Sequence, residues 1–72
     1  MERNKQLKII QAINTEMDAL ERERNIYLNL LREDISGDTE EFILATLREI
    51  NEDIVYLEVL QEEVLNGNEN NS

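Results

Sequence analysis

Seventeen acidic and seven basic side chains in 72 residues, with no histidine and no cysteine, exclude a good deal before any pattern is read. A chain this short makes one small domain, and without thiols or imidazoles it lacks the disulfides and usual zinc ligands that staple small folds. Self-association or a partner is the remaining route to stability, and a formal charge of −10 favours basic protein surfaces over nucleic acid or anionic lipid.

In chain order, the polar start Met1-Glu2-Arg3-Asn4-Lys5-Gln6 leads directly into an amphipathic pattern. No secretory signal is read there, and no apolar run is longer than the four residues of Ile54-Val55-Tyr56-Leu57, too short to span a membrane. The expectation is a cytoplasmic chain with no membrane association, to which the lack of cysteine adds weak support. The spacing predicts a first helix from about Arg3 to Ile35, with no proline or glycine inside it and an Asp18–Arg22 pair in the favourable order. The turn is read at residues 36–38. Gly37 is expected to take the left-handed conformation that ends a helix, and Asp38 to cap the next one with Glu41 three residues on. Glu40 and Glu41 complement the positive end of the following helix dipole.

A second helix is predicted over about 39–66, making residues 3–66 a helical hairpin. The strand-forming stretch Ile54–Leu60 does not alternate, so its period argues for helix. The remainder, residues 67–72, begins with a glycine, has nothing to bury and is read as a disordered polar tail. No internal repeat is read beyond the heptads.

The two helices carry matching seams. Ile10, Ile13, Met17, Leu20, Arg24, Tyr27 and Leu31 form the first, and Ile43, Leu47, Ile50, Ile54, Leu57, Gln61 and Val64 the second, spaced alternately three and four. That is the a/d repeat of a coiled coil. Folding at Gly37 sets Leu31 against Ile43, Leu20 against Ile54 and Ile10 against Val64. The predicted fold is therefore all-α: an antiparallel, coiled-coil-like two-helix hairpin. One seam leaves every other face wet, so a homodimer closing a four-helix bundle is expected.

Arg24 and Gln61 are the polar exceptions on the seam, a placement that commonly specifies register or oligomer state. In the mirrored alignment Arg24 lies across from Ile50, where its guanidinium is expected to bridge Glu23 and Asp53. Apolar residues also fall off the seam. Val55, Tyr56 and Val59 take b, c and f positions and are edged by Glu52, Glu62 and Glu63; nearer the turn stand Ile26, Leu28, Leu30, Ile35, Phe42 and Leu44. Surplus apolar surface of this kind marks an interface, and tyrosine is a common hot-spot residue.

Catalytic chemistry finds little to work with. Ser36 and Ser72 are the only serines, and no imidazole or thiol is present to pair with either, so the chain is not read as an enzyme. Glu49, Glu52 and Asp53 share a helix face as paired carboxylates do in helical nucleotide pyrophosphohydrolases, but the second acidic motif of those enzymes does not follow. A solvated helix face accounts for the three. No phosphate loop, EF-hand or zinc spacing occurs, and no cofactor or metal is expected.

The layout, a helical hairpin with a short turn and a polar acidic tail, resembles the Rop-type plasmid copy-number regulators in architecture. That resemblance implies RNA binding through the first helix, where Arg3, Lys5, Lys8, Gln11 and Asn14 would serve. The net charge and the absence of an aromatic residue among the five stand against it. The favoured expectation is a small acidic interaction module acting as an inhibitor, adaptor or regulator. It would bind a protein with a basic or mixed apolar and basic surface through Glu52, Val55, Tyr56, Val59, Glu62 and Glu63. Small acidic chains of this form are common among phage-encoded inhibitors. The alternatives are a Rop-like RNA-binding hairpin and a purely structural coiled-coil subunit.

Overall fold

Unbroken three-four spacing over residues rich in leucine, isoleucine, glutamate and arginine forms helix on both sides of one break. In the computed structural model, which describes residues 2–70, these helices are α1 (Arg3–Leu30) and α2 (Gly37–Asn70). They pack against each other as a hairpin. The molecule measures 54 × 17 × 11 Å, a slab two helices wide and one helix thick.

All fourteen seam positions turn inward. Ile13, Ile43, Leu47, Ile50 and Ile54 are buried and the other nine are half-buried. Elsewhere among the described side chains only Gln6, Ile35, Thr46, Leu60 and Gly67 are even partly covered. So thin a core follows from the slab: each seam side chain has one neighbouring helix above it and water on two sides.

The register matches the mirror about Gly37. The side-chain amide of Gln61 donates to Asn14 Oδ1 at 2.7 Å, and the Arg24 guanidinium donates to Asn51 Oδ1 at 3.3 Å. Gln6 reaches further along, donating to the Val64 and Leu65 carbonyls at 2.8 and 3.2 Å, in keeping with the tilt of helical side chains toward the N-terminus.

The break differs from the expected one. α1 ends at Leu30 rather than Ile35. The Arg32 and Glu33 amides bond the Asn29 and Leu30 carbonyls, tightening the chain out of α geometry. Glu33 and Asp34 lie where negative charge opposes the helix dipole, and no base stands in the last turn to offset them. The connection is therefore Leu31–Ser36 rather than residues 36–38. Gly37 does not have positive φ and is the first residue of α2.

The cap moves from Asp38 to Ser36. Its Oγ accepts the Thr39 amide at 3.4 Å and donates to Thr39 Oγ1 at 3.0 Å, while its carbonyl accepts the Glu40 amide at 2.9 Å. Asp38 and Glu40 then occupy the first turn, where their charge suits the dipole. α2 also runs past the expected stop at Asn66, through Gly67 to Asn70. Of the tail read as disordered, residues 67–70 are helical here, and Asn71 and Ser72 lie outside the described residues.

Candidate interaction surface

With Ile10 and Leu47 at position a, the heptad fixes where every exposed residue stands on the slab. Positions b, e and f fall to one side of each seam and c and g to the other, because each residue advances 100° around the helix. In an antiparallel pair the e positions of both helices border one broad face and the g positions border the opposite one.

Val55, Tyr56 and Val59 are 58, 65 and 49% exposed, on the side of α2 turned away from α1. Glu52, Glu62 and Glu63 are exposed around them. The three apolar side chains do not form one flat patch. Val55 leans to the e face, Val59 stands outermost, and Tyr56 leans to the g face. Glu52 and Val55 line an open groove of about 580 Å³ with Leu44, Leu47, Arg48 and Asn51. Tyr56, Val59, Glu62 and Glu63 lie outside it. The groove was legible in the sequence as the e/b row Leu44, Arg48, Asn51, Val55.

The turn cluster divides in the same way. Ile26, Leu28, Leu30, Phe42 and Leu44 are exposed and Ile35 is half-buried. Leu28 and Leu44 border the e face; Ile26, Leu30 and Phe42 border the g face.

Arg24 and Gln61 act alike. Each is a half-buried seam residue at position a, and each donates to an exposed asparagine at position e of the other helix. Arg24 therefore hydrogen-bonds Asn51 in place of the bridge to Glu23 and Asp53 expected from the mirror. The duplication is built into the chain. Leu7, Asn14, Glu21 and Leu28 stand at seven-residue intervals in α1, and Leu44, Asn51, Glu58 and Leu65 repeat the same four residue types at the same intervals, 37 residues on. The seams follow the same offset, which aligns Arg24 with Gln61. The pattern lies within the heptads, in the matching order of e-position residues on the two helices. The repeat was hidden because few residues off the seam and the e row obey it, and only the matched hydrogen bonds draw attention to it.

The first-helix set proposed for RNA is dispersed. Arg3, Lys5, Lys8 and Gln11 are exposed but fall at a, c, f and b, so Lys8 neighbours Lys5 and Gln11 while Arg3 and Asn14 stand apart from Lys5 and Lys8 around α1. The Asn14 carbonyl oxygen is engaged by Gln61. Glu49, Glu52 and Asp53 are exposed, and among the described residues no three acidic groups converge on a cation-sized site. Nor is any helix, among those residues, long and apolar enough to cross a membrane.

No protein family model matches the chain, and no curated protein or solved structure is significantly similar to it. The surfaces described above carry the functional reading by themselves.

Proposed function

We propose that this chain is a non-enzymatic, acidic protein-interaction module of the cytoplasm, a hairpin that pairs with a second copy into a four-helix bundle and docks on another protein. The docking strip is Val55, Tyr56 and Val59, with Glu52, Glu62 and Glu63 as its electrostatic rim. The observation that carries this reading is that the seam already consumes twelve apolar residues, while these three remain about half or more exposed among carboxylates. Isolated exposed apolar residues are ordinary; three within five positions, centred on a tyrosine and ringed by glutamates, match the core and rim of an interface. The complementary partner has an apolar spot set in basic residues. Protein sites that otherwise hold nucleic acid have that chemistry, which makes inhibition, adaptation or regulation of such a protein the fitting role.

The test is capture from a bacterial lysate with and without nuclease, comparing the native chain with the Tyr56→Ala, Val59→Glu double variant. A defined protein should be retained after nuclease by the native chain and lost by the variant, with helix content unchanged. Retention by a variant that is still dimeric overturns the strip. Cargo lost on nuclease treatment points instead to the Rop-like reading through α1. Absence of any cargo leaves the structural-subunit reading as the survivor.

A further inference from the structure

We infer that the face bordered by the two Leu-Asn-Glu-Leu rows is the surface on which a second copy of this chain docks, with the turn of one hairpin against the open end of the other. The inference rests on the self-association proposed above and assigns it a face and an orientation.

The slab leaves more surface in water than its size warrants. Its accessible area is 5660 Å², whereas a compact monomer of this mass exposes roughly 4,700 Å². The surplus, on the order of 1,000 Å², matches what one partner contributes to a standard interface, about 800 Å². Two broad faces compete to bury it.

The g face is richer in apolar side chains, with Ile9, Leu30 and Leu60 beside the seam and Ile26, Phe42 and Tyr56 further out. Its centre disqualifies it for self-docking. Glu16 and Glu23 of α1 and Asp53 of α2 stand together at mid-height, all exposed. A two-fold axis through the middle of that face sets these carboxylates against their own copies, and like charges brought together out of water are costly.

On the e face the rows run in opposite directions. Leu7 therefore stands by Leu65, Asn14 by Glu58, Glu21 by Asn51 and Leu28 by Leu44, and all eight are exposed. Both leucine pairs lie about 31 Å apart, at 1.5 Å per helical residue. A second copy related by a two-fold axis that lies in this face, perpendicular to the helices, lays Leu7 on the other copy's Leu28 and Leu44 on its Leu65. The same operation lays Asn14 on Glu21 and Asn51 on Glu58. Leucine meets leucine at four places, each glutamate of the rows meets an asparagine amide, and Asp18, at position b beside the axis, is the one carboxylate of this face brought toward its own copy. Because Gln61 and Arg24 donate to the Oδ1 atoms of Asn14 and Asn51, those oxygens are turned back toward the chain's own partner helix, and the amide N–H groups are left to face a glutamate. The repeated row thus makes the face complementary to itself, as an isologous contact demands. The open groove over Leu44, Leu47 and Val55 then receives the other copy's Leu65.

A two-fold axis parallel to the helices also sets leucine on leucine and asparagine on glutamate. The ends decide between the two. The turn end carries Glu33, Asp34, Asp38, Glu40 and Glu41 against Arg32, a net of −4, whereas the open end sets Arg3, Lys5 and Lys8 against Glu2, Glu62, Glu63 and Glu69, a net of −1. Parallel docking puts two acidic turns side by side. Antiparallel docking puts each acidic turn beside a nearly balanced end that carries three bases. It covers Glu52 and Val55 at the groove edge of the proposed strip and leaves Tyr56, Val59, Glu62, Glu63 and the whole g face uncovered for another protein.

The chain contains no cysteine, so single cysteines report the geometry without background. Leu7→Cys and Leu28→Cys chains, refolded together, should be joined by a short bismaleimide. Neither should join to itself, and Leu7→Cys should not join to Leu65→Cys. In sedimentation equilibrium the native chain should dimerise, and Leu28→Glu with Leu44→Glu should weaken the dimer by about a hundredfold or more with helix content retained. Linkage of Leu7→Cys to Leu65→Cys overturns the orientation. A stable dimer with neither linkage, or one unaffected by the glutamates, overturns the face. A native chain that stays monomeric across the concentration range overturns self-association itself, while capture through Tyr56 and Val59 stands or falls on its own assay.

Discussion

Replacing both Arg24 and Gln61 by leucine should make the protein more stable and less specific. Each side chain is half-buried on the seam, so a leucine there withdraws apolar surface for roughly half of the 1.5–3 kcal/mol that full burial brings, about 1 kcal/mol. Against this stands one lost hydrogen bond per site. At 2.7 Å the Gln61–Asn14 bond contributes about 1 kcal/mol net, and at 3.3 Å the Arg24–Asn51 bond about 0.5 kcal/mol. The acceptors Asn14 and Asn51 are exposed, so water replaces the missing donor and no unsatisfied group is left behind. Gln61→Leu should therefore be near neutral and Arg24→Leu should stabilise by about 0.5 kcal/mol. The sites are well separated along the hairpin and should add. Thermal unfolding followed by far-UV circular dichroism, at one fixed protein concentration, should show the double variant melting about 2–4 °C higher. Sedimentation velocity should show several oligomeric species where the native chain gives one, because nothing polar then distinguishes one seam alignment from another. Loss of more than about 1 kcal/mol in either single variant would refute the bookkeeping. A double variant that remains a single species would refute the specifying role.

Four further outcomes follow from the fold. Gly37→Ala should stabilise by about 0.4–1 kcal/mol in urea unfolding, because the residue is helical without positive φ and an added Cβ meets nothing within 4 Å; destabilisation would restore the left-handed turn. Ser36→Ala should cost about 1 kcal/mol and increase amide exchange in the first turn of α2, whereas Asp38→Ala should cost only a few tenths, reversing the order expected if Asp38 were the cap. Ile50→Ala, at a position 4% exposed, should cost about 2–4 kcal/mol and leave a small hairpin mostly unfolded by circular dichroism. Val59→Ala, on the outer face, should stay within about 0.5 kcal/mol of the native chain.

The legible and the illegible parts of this molecule divide along a physical line. Helix, seam and antiparallel register were readable because a 3.6-residue period and a short break permit one low-energy arrangement of twelve apolar residues. The break itself was misread. Whether Ser36 or Asp38 caps α2, and whether Gly37 turns or begins a helix, depends on differences near 1 kcal/mol between neighbouring residues, and these were settled by where α1 lost its last hydrogen bonds. The helical stretch beyond Asn66 was missed for the same reason, since a glycine lowers helix propensity without forbidding it.

For the candidate surface the chain specified the surplus and the tertiary structure specified its grouping. Val55, Tyr56 and Val59 are surplus by sequence alone, because the seam is already full. That they part between two faces follows only once α1 lies along one side of α2 and makes those sides unequal. The pairing of Gln61 with Asn14 and of Arg24 with Asn51 likewise needed the hairpin closed. Residues 47 and 27 positions apart can share a hydrogen bond only when the chain reverses, and that reversal turns a faint 37-residue repeat into a two-fold symmetric face.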